Sequence, residues 1–199
     1  VGTGDAPRIV DLIERQLGLE KPSQEISAPD FLYDHETPRV NSSPFYSSYI
    51  KIADGCGNHC SYCIIPQLRG NLRSRSIDSV CLEARSLAEK GVREINLIAQ
   101  DITAYGADRN DGASIEKLLR DLVKVEGITW IRLLYAYPDG ISDELIDLIA
   151  KEDKICNYLD IPLQHGSTRM LELMRRGTTR QKTEQLLNEI RSQVPDIAI

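Results

Sequence analysis

Residues 48–66 read SYIKIADGCGNHCSYCIIP, a short strand pattern that runs directly into a group of three cysteines. The apolar alternation of SYIKIAD predicts a β-strand, and Cys56, Cys60 and Cys63 follow it on one short loop. Thiols this close together are typical of metal ligands rather than of a disulfide framework. A closed structural metal site normally has four protein ligands, so the sequence raises the question of the fourth.

The strand opens a regular alternation of strand and helix patterns. Further strand patterns occur at REINLIAQ, TWIRLLYAYP, CNYLDIPLQ and DIAI, and helical patterns separate them. Ser76 is predicted to cap the first of these helices, and Gly91 is predicted to end it. The alternation predicts βα units and an α/β fold with a parallel sheet, a partial barrel that stops after about five strands. Such barrels carry their chemistry at the C-terminal strand ends, where the cysteine loop lies.

Three segments are predicted along the chain. An apolar stripe predicts a helix over residues 6–17, with its apolar positions at Ile9, Val10, Ile13 and Leu17. Residues 20–46 are rich in Ser, Pro and acidic residues, which favours a linker or an extended arm. We place the start of the main domain near Ser47, so that residues 47–199 form the core and residues 1–19 belong to a preceding domain.

Composition narrows the class of protein. The chain has 199 residues, of which 41% are hydrophobic and 27% charged, as in an ordinary globular domain. The net charge of −6 argues weakly against nucleic-acid binding by this segment. Clustered thiols and the lack of a long apolar run favour a reducing cytoplasm and no membrane association. The first residue is Val, and the sequence ends in DIAI, where a strand is predicted to begin. We therefore expect a piece of a longer protein.

Structural zinc is one interpretation of the cysteine loop. Cys81 lies in a predicted apolar helix face and Cys156 opens a predicted strand, so both are expected to be core thiols. His59 directly precedes Cys60, and side chains of adjacent residues do not easily coordinate the same metal ion, so His59 is a poor fourth ligand. An iron–sulfur cluster is the second interpretation, because three thiolates would leave one iron without a protein ligand and open to a cofactor.

The motif CGNHCSYC has the spacing C-x3-C-x2-C with an aromatic residue before the last cysteine. It resembles the motif of the radical S-adenosylmethionine (SAM) enzymes. The resemblance implies a (βα)6-type barrel and a [4Fe–4S] cluster on Cys56, Cys60 and Cys63, whose open iron chelates SAM. It also implies that Tyr62 lies beside the adenine, and that one electron from the cluster cleaves SAM to a 5′-deoxyadenosyl radical.

The likeness extends to the methylthiotransferases of that superfamily. It rests on GCGNHCSYCIIPQLRG, SRSI, INLIAQDITAYG and YLDIPLQHGSTRMLELMRRGTTR, and the opening VGTGDAPRIVDLI resembles the end of the family's N-terminal domain. The family carries a second [4Fe–4S] cluster on that domain, but no cysteine precedes Cys56 here. We therefore expect this piece to cleave SAM without completing methylthiolation alone.

Two branches of the family differ in substrate. QDITAYG and LLYAYP resemble the RimO-type branch, which modifies the β-carbon of an aspartate in small ribosomal subunit protein twelve. The alternative is the MiaB-type branch, which modifies an adenosine of transfer RNA. The RimO-type resemblance implies a ribosomal protein substrate, association with the ribosome, and an electron donor such as flavodoxin or ferredoxin.

Further site residues come from strand ends and from the resemblance. Gln100 and Asp101 end the second predicted strand, where barrels place ligand contacts. The resemblance implies that SAM is held, or its pocket ordered, by Gln100, Gln164, Ser167 and Arg176. Ordinary loop hydrogen bonding, and for Ser167 a helix N-cap, remain as alternatives.

Several charged residues have two interpretations. Arg132 lies within a predicted strand, where it either points into the barrel toward a carboxylate or forms a structural ion pair. The basic strip of Arg69, Arg73 and Arg75 either meets an acidic ligand or forms a solvated loop. A non-enzymatic iron–sulfur electron-transfer or scaffold protein is the alternative of another class, and SAM binding would distinguish it from the enzyme.

Overall fold

The computed structural model describes residues 2–18 and 26–199. Its α-helices are α1 (Ile9–Gly18), α2 (Ile65–Arg69), α3 (Ile77–Glu89), α4 (Ile115–Leu122), α5 (Asp143–Lys151), α6 (Thr168–Leu173) and α7 (Arg180–Gln193). Its β-strands are β1 (Ser47–Lys51), β2 (Ala53–Asp54), β3 (Arg73–Ser74), β4 (Glu94–Ile98), β5 (Trp130–Leu133) and β6 (Ile155–Leu159). Short 3-10 helices lie at Thr3–Arg8 and Pro138–Gly140.

Four parallel strands form the main sheet in the order β1-β4-β5-β6. Helices α3, α4 and α5 connect them and pack against one another, and α7 packs on α5. A further strand begins after α7, where Ala198 pairs in parallel with Tyr158. This topology confirms the α/β class and the incomplete barrel. Because all four strands run in one direction, their C-terminal ends meet at one edge of the sheet.

The hydrophobic core lies between the helices and one face of the sheet. Fully buried strand residues alternate along β1, β4 and β5, as expected for one face of a pleated strand; they are Ile50, Ile95, Leu97, Ile131 and Leu133. Helix α4 adds Leu118, Leu119 and Leu122. Cys81 is 4% exposed, which confirms it as a core thiol, whereas Cys156 is only half-buried.

Arg132 lies on the other face of the sheet, in register with Tyr49 and Asn96. Its Nε donates a 2.9 Å hydrogen bond to Glu94 Oε1, and its guanidinium lies 4.9 Å from the centre of the Tyr158 ring. Arg132 therefore has a carboxylate partner within the chain. Of the two interpretations of this residue, the structure supports the structural ion pair.

The predicted strand SYIKIAD is divided in two. β1 ends at Lys51, and β2 leaves the main sheet to pair antiparallel with β3, through Ala53 with Ser74 and Asp54 with Arg73. The segment between β2 and β3 contains the cysteines and α2, a helix that the sequence analysis did not predict. The two-stranded ribbon closes the base of the cysteine loop.

The ends of α3 follow the predicted signals. Ser76 Oγ accepts a hydrogen bond from the backbone N–H of Ser79, so Ser76 caps the helix as predicted. Gly91 follows the end of the helix with a φ of +92°, a conformation that glycine adopts without a steric cost.

The N-terminal helix forms, but its apolar stripe does not pack. Helix α1 ends at Gly18 and is preceded by the 3-10 helix, so the predicted bounds of residues 6–17 were partly wrong. Most of its apolar residues are exposed: Ile9, Val10, Ile13 and Leu17. Residues 19–25, which include the start of the predicted linker, lie outside the described residues, and the proposed domain division stays a prediction.

Residues 26–46 contain no helix or strand and lie against the core as an extended arm. Arg39 makes an ion pair with Glu83 of α3 and donates to Ser48 Oγ at 3.0 Å. His35 Nδ1 lies 3.2 Å from Ser79 Oγ.

The basic strip is structural at its centre. Arg75 is 3% exposed, and its Nη1 contacts Glu83 Oε2 at 2.5 Å and the Lys51 carbonyl at 2.9 Å. Arg73 donates to carbonyl oxygens, and Arg69 lies 3.5 Å from Asp54. For Arg75, both the ligand and the solvated-loop interpretations were wrong, because its charge is neutralised inside the fold.

We predict that Glu83→Ala lowers the free energy of unfolding by about 3 kcal/mol, since it leaves the buried Arg75 without its carboxylate. Glu89→Ala removes an exposed carboxylate from the same helix and is the matched control, with an expected change within about 0.5 kcal/mol. Urea denaturation followed by circular dichroism measures both. Equal stability of the two variants would contradict the structural role assigned to this ion pair.

Candidate functional site

The cysteine loop begins with a backbone turn that only glycine tolerates. Gly55 has a φ of +78°, and a Cβ there would lie 2.0 Å from the carbonyl oxygen of Asn71. The turn leaves Cys56 buried, with its N–H donating to the Gly70 carbonyl at 3.2 Å. The chain therefore enters the loop in close contact with the segment that leaves it.

Asn58 ties the loop to the end of β4. Its side-chain amide donates a 2.7 Å hydrogen bond to Asp101 Oδ2, and its backbone N–H lies 3.4 Å from Cys56 Sγ. Asp101 is 5% exposed and its other oxygen accepts from Thr103, so the carboxylate is held from both sides. Sequence analysis missed the role of Asn58, because an asparagine within a cysteine motif gives no periodic signal.

The other side of the loop is held by the end of α6. The backbone N–H of Ser61 donates to the Met174 carbonyl at 3.0 Å, and its hydroxyl donates to the Leu173 carbonyl at 2.8 Å. Cys60 and Cys63 are both half-buried, and the N–H of Cys63 donates to the Cys60 carbonyl at 3.1 Å. The loop is thus clamped between the ends of β4 and α6.

A pocket of about 370 Å³ opens beside two of the three cysteines. Its lining comes from the C-terminal ends of β1, β4 and β5 and from the cysteine loop: Lys51, Cys56, Cys63, Ile65, Ile98, Ala99, Gln100 and Tyr135. The Oε1 of Gln100 is buried there without a hydrogen-bond partner. An unpaired buried acceptor costs about 1–3 kcal/mol, so a donor group that reached this atom would be stabilising.

Arg176 lies beside Cys60 and does not line this pocket. Its Nη1 is 3.8 Å from Cys60 Sγ, and its Nη2 donates to the Pro162 carbonyl at 2.7 Å. Its guanidinium stacks 3.9 Å from the centre of the Tyr137 ring. The structure therefore brings both Gln100 and Arg176 to the cysteine loop, and of the two only Gln100 lines the pocket.

The remaining predicted SAM contacts do not line this pocket. Gln164 is exposed and lines a separate surface pocket with His165 and residues of α7, while Tyr62 is 50% exposed. Ser167 precedes α6, but its hydroxyl makes no capping hydrogen bond, so the alternative interpretation of Ser167 as a side-chain N-cap was wrong. Its backbone N–H donates to His165 Nδ1 at 2.9 Å.

Three thiols on one loop are the kind of ligand that iron–sulfur clusters use. In residues 2–18 and 26–199, no three His, Cys, Asp or Glu side chains are grouped to share one metal ion. In an iron–sulfur cluster each thiolate binds a different iron, so the sulfurs need not converge on one point. Burial raises the pKa of the Cys56 thiol, and a metal is the partner that would hold it as a thiolate.

The model of the radical SAM superfamily matches residues 50–199, from β1 through the end of the chain. The chain belongs to the radical SAM superfamily. The matched region contains the cysteine loop and the main sheet, and it confirms the family predicted from CGNHCSYC.

Curated relatives align over the full chain. The chain is 59% identical over 199 residues to the ribosomal protein uS12 methylthiotransferase RimO of Syntrophotalea carbinolica, and 54% identical to that of Pelobacter propionicus. It is 52% identical to the enzyme of the same name from Geobacter sulfurreducens. In each case the alignment covers 100% of this chain and 44% of the relative, so the chain spans less than half the length of these relatives.

Solved structures support the fold. The radical SAM methyltransferase TsrM from Kitasatospora setae superposes with a TM-score of 0.61 at 21% identity, over 78% of this chain and 32% of that one. Streptococcus suis SuiB, solved with its precursor peptide SuiA, gives 0.57 at 15% identity over 95% of this chain and 43% of that one. No helix within the described residues has the length and apolarity needed to cross a membrane.

We predict that Gly55→Ala destabilises the protein by roughly 2 kcal/mol or more, because it combines left-handed backbone strain with a backbone clash. Gly57→Ala is the matched control two residues away, since nothing lies within 4 Å of its added Cβ. Thermal denaturation and iron content after reconstitution measure the two effects. Full iron content and wild-type stability in Gly55→Ala would show that the turn is not required.

Proposed function

We propose that the chain is the radical SAM core of a methylthiotransferase that acts on small-subunit ribosomal protein uS12. The observation that carries the proposal is the 59% identity, over every residue of the chain, to an enzyme of that name. The proposed reaction adds a methylthio group to the β-carbon of an aspartate. QDITAYG, which supports the RimO-type branch over the transfer-RNA branch, follows β4 and includes the half-buried Gln100 and the buried Asp101.

The proposed cofactors are a [4Fe–4S] cluster held by Cys56, Cys60 and Cys63, and SAM bound to its open iron. When bound, the reduced cluster supplies the electron that cleaves SAM. The support from the structure is that the three thiols share one clamped loop at the C-terminal edge of the parallel sheet, where barrels of this type place their chemistry.

Gln100 is the SAM-binding residue with the strongest support. Its buried oxygen faces no donor of the described chain, and it lines the pocket beside Cys56 and Cys63. We propose that it accepts a hydrogen bond from a hydroxyl or amino group of SAM. Tyr62 beside the adenine, and Gln164 and Ser167 on the loop after β6, stay predictions.

The proposed partners follow from the same similarity. They are a ribosomal protein substrate, the ribosome, and a low-potential electron donor such as flavodoxin or ferredoxin, in the cytoplasm. A second [4Fe–4S] cluster on another domain of the whole protein belongs to the same proposal.

We predict that anaerobic reconstitution with iron and sulfide, followed by reduction, produces a [4Fe–4S]⁺ electron paramagnetic resonance (EPR) signal that changes when SAM is added. Cys56→Ala is expected to lose the signal, because it removes a ligand. Cys81→Ala is the matched control, since it removes a thiol of the core, and it should keep the signal.

The outcomes separate the candidate functions. A cluster whose EPR signal does not change on addition of SAM would favour an iron–sulfur electron carrier. Bound zinc without any cluster would rule out the radical mechanism. Substrate assays with uS12 and with transfer RNA on the full-length enzyme then test the branch.

We predict that Gln100→Leu weakens SAM binding about tenfold, which is the effect of one lost hydrogen bond to a ligand. The stability of the SAM-free protein should stay equal or rise, because the acceptor has no partner there. Gln193→Leu changes an exposed glutamine and is the control. Calorimetric titration of the reconstituted protein with SAM measures affinity. Unchanged affinity in Gln100→Leu would remove this residue from the proposed site.

A further inference from the structure

Arg176 is a buried cation without a carboxylate partner. It is 7% exposed, and none of the Asp or Glu side chains in the described residues forms an ion pair with it. Buried charges are normally paired, because removing an ion from water costs several kcal/mol. Arg75, the other fully buried arginine of this region, has such a partner in Glu83. The difference indicates that the counter-charge of Arg176 comes from something bound.

Three contacts fix where the guanidinium points. The Tyr137 ring lies beneath it at 3.9 Å, and the Pro162 carbonyl accepts from Nη2 at 2.7 Å. Nη1 is thereby directed at Cys60 Sγ, 3.8 Å away. Its Nε is buried and makes no hydrogen bond. Tyr137 follows β5 and Pro162 follows β6, so two strand ends hold the guanidinium against the cysteine loop.

Arg176 is not one of the residues that line the pocket beside Gln100. The 370 Å³ pocket is lined by Cys56 and Cys63, and neither Cys60 nor Arg176 contributes to it. The nearest group of the cysteine loop to Nη1 is the Cys60 sulfur, which favours a contact of Arg176 with that thiolate over a contact with a molecule in this pocket.

We propose that Arg176 acts through the Cys60 thiolate to raise the reduction potential of the cluster, and that it does not bind SAM. This rests on the proposed function, since it requires the cluster on the three cysteines. Reduction adds one electron from a low-potential donor and breaks no bond, so the site becomes more negative by one charge. A fixed cation in a poorly solvated position favours the more negative state. Arg176 would thereby make the cluster easier to reduce before SAM is cleaved.

The test is an EPR-monitored redox titration of the reconstituted chain with dithionite in the absence of SAM. Arg176→Gln removes the charge, and at the wild-type midpoint potential its ratio of reduced to oxidised cluster should fall about tenfold, a shift of about 59 mV for one electron. Arg176→Lys keeps the charge and should recover part of the shift. Arg175→Gln removes the same charge from an exposed neighbour and should leave the potential unchanged.

A second variant tests the same idea with the arginine retained. Tyr137→Leu removes the ring that supports the guanidinium and should shift the potential in the same direction by a smaller amount. SAM affinity, measured by calorimetry on the oxidised holoprotein, should stay within twofold of wild type in Arg176→Gln and in Tyr137→Leu. That readout separates an effect on the cluster from a loss of the binding site.

The failure of this proposal differs from the failure of the proposed function. An unchanged potential in Arg176→Gln, together with a large loss of SAM affinity, would make Arg176 a SAM contact and overturn the inference while leaving the function intact. A shift as large in Arg175→Gln would overturn it as well, since a general surface charge would then suffice. A wild-type chain that binds no cluster would overturn both.

Discussion

The structure depends on one constraint, which is that a loop carrying three thiols must be held rigidly at the edge of a parallel sheet. The loop has no regular structure of its own beyond α2, so its position comes from hydrogen bonds to other segments. Asn58 bonds to Asp101 after β4, and Ser61 bonds to backbone carbonyls at the end of α6. These anchors are available together because parallel strands bring all their C-terminal ends to one edge.

Two buried arginines show how the fold treats charge differently in its core and at its site. Arg75 is neutralised by Glu83 and fastens the cysteine-loop ribbon to α3 and the extended arm. Arg176 is as well buried, but it faces a cysteine sulfur and an aromatic ring. Structural charges need a permanent partner, whereas a charge at a cofactor site can be completed by the bound group. The Gln100 oxygen is likewise a polar group without a partner in the described chain.

Periodic patterns predicted the fold well because they report which face of an element is buried. The four strands of the main sheet, the Ser76 cap and the buried Cys81 all follow from local pattern. The errors occurred where long-range contacts override the pattern. SYIKIAD is divided because Ala53 and Asp54 pair with β3 instead of continuing beside β4. The stripe of α1 predicts a helix correctly, but packing decides whether it is covered.

By itself the sequence determined the chemistry and the class of fold: three cysteines at C-x3-C-x2-C spacing after the first strand of a βα series. Both are local properties, since spacing and periodicity are read within a few turns or one loop. Only the tertiary structure decided which polar groups surround the thiols. Asn58 and Asp101 are 43 residues apart, and Cys60 and Arg176 are 116 apart. No local pattern encodes such pairs, because they meet only when the packed sheet brings its strand ends together.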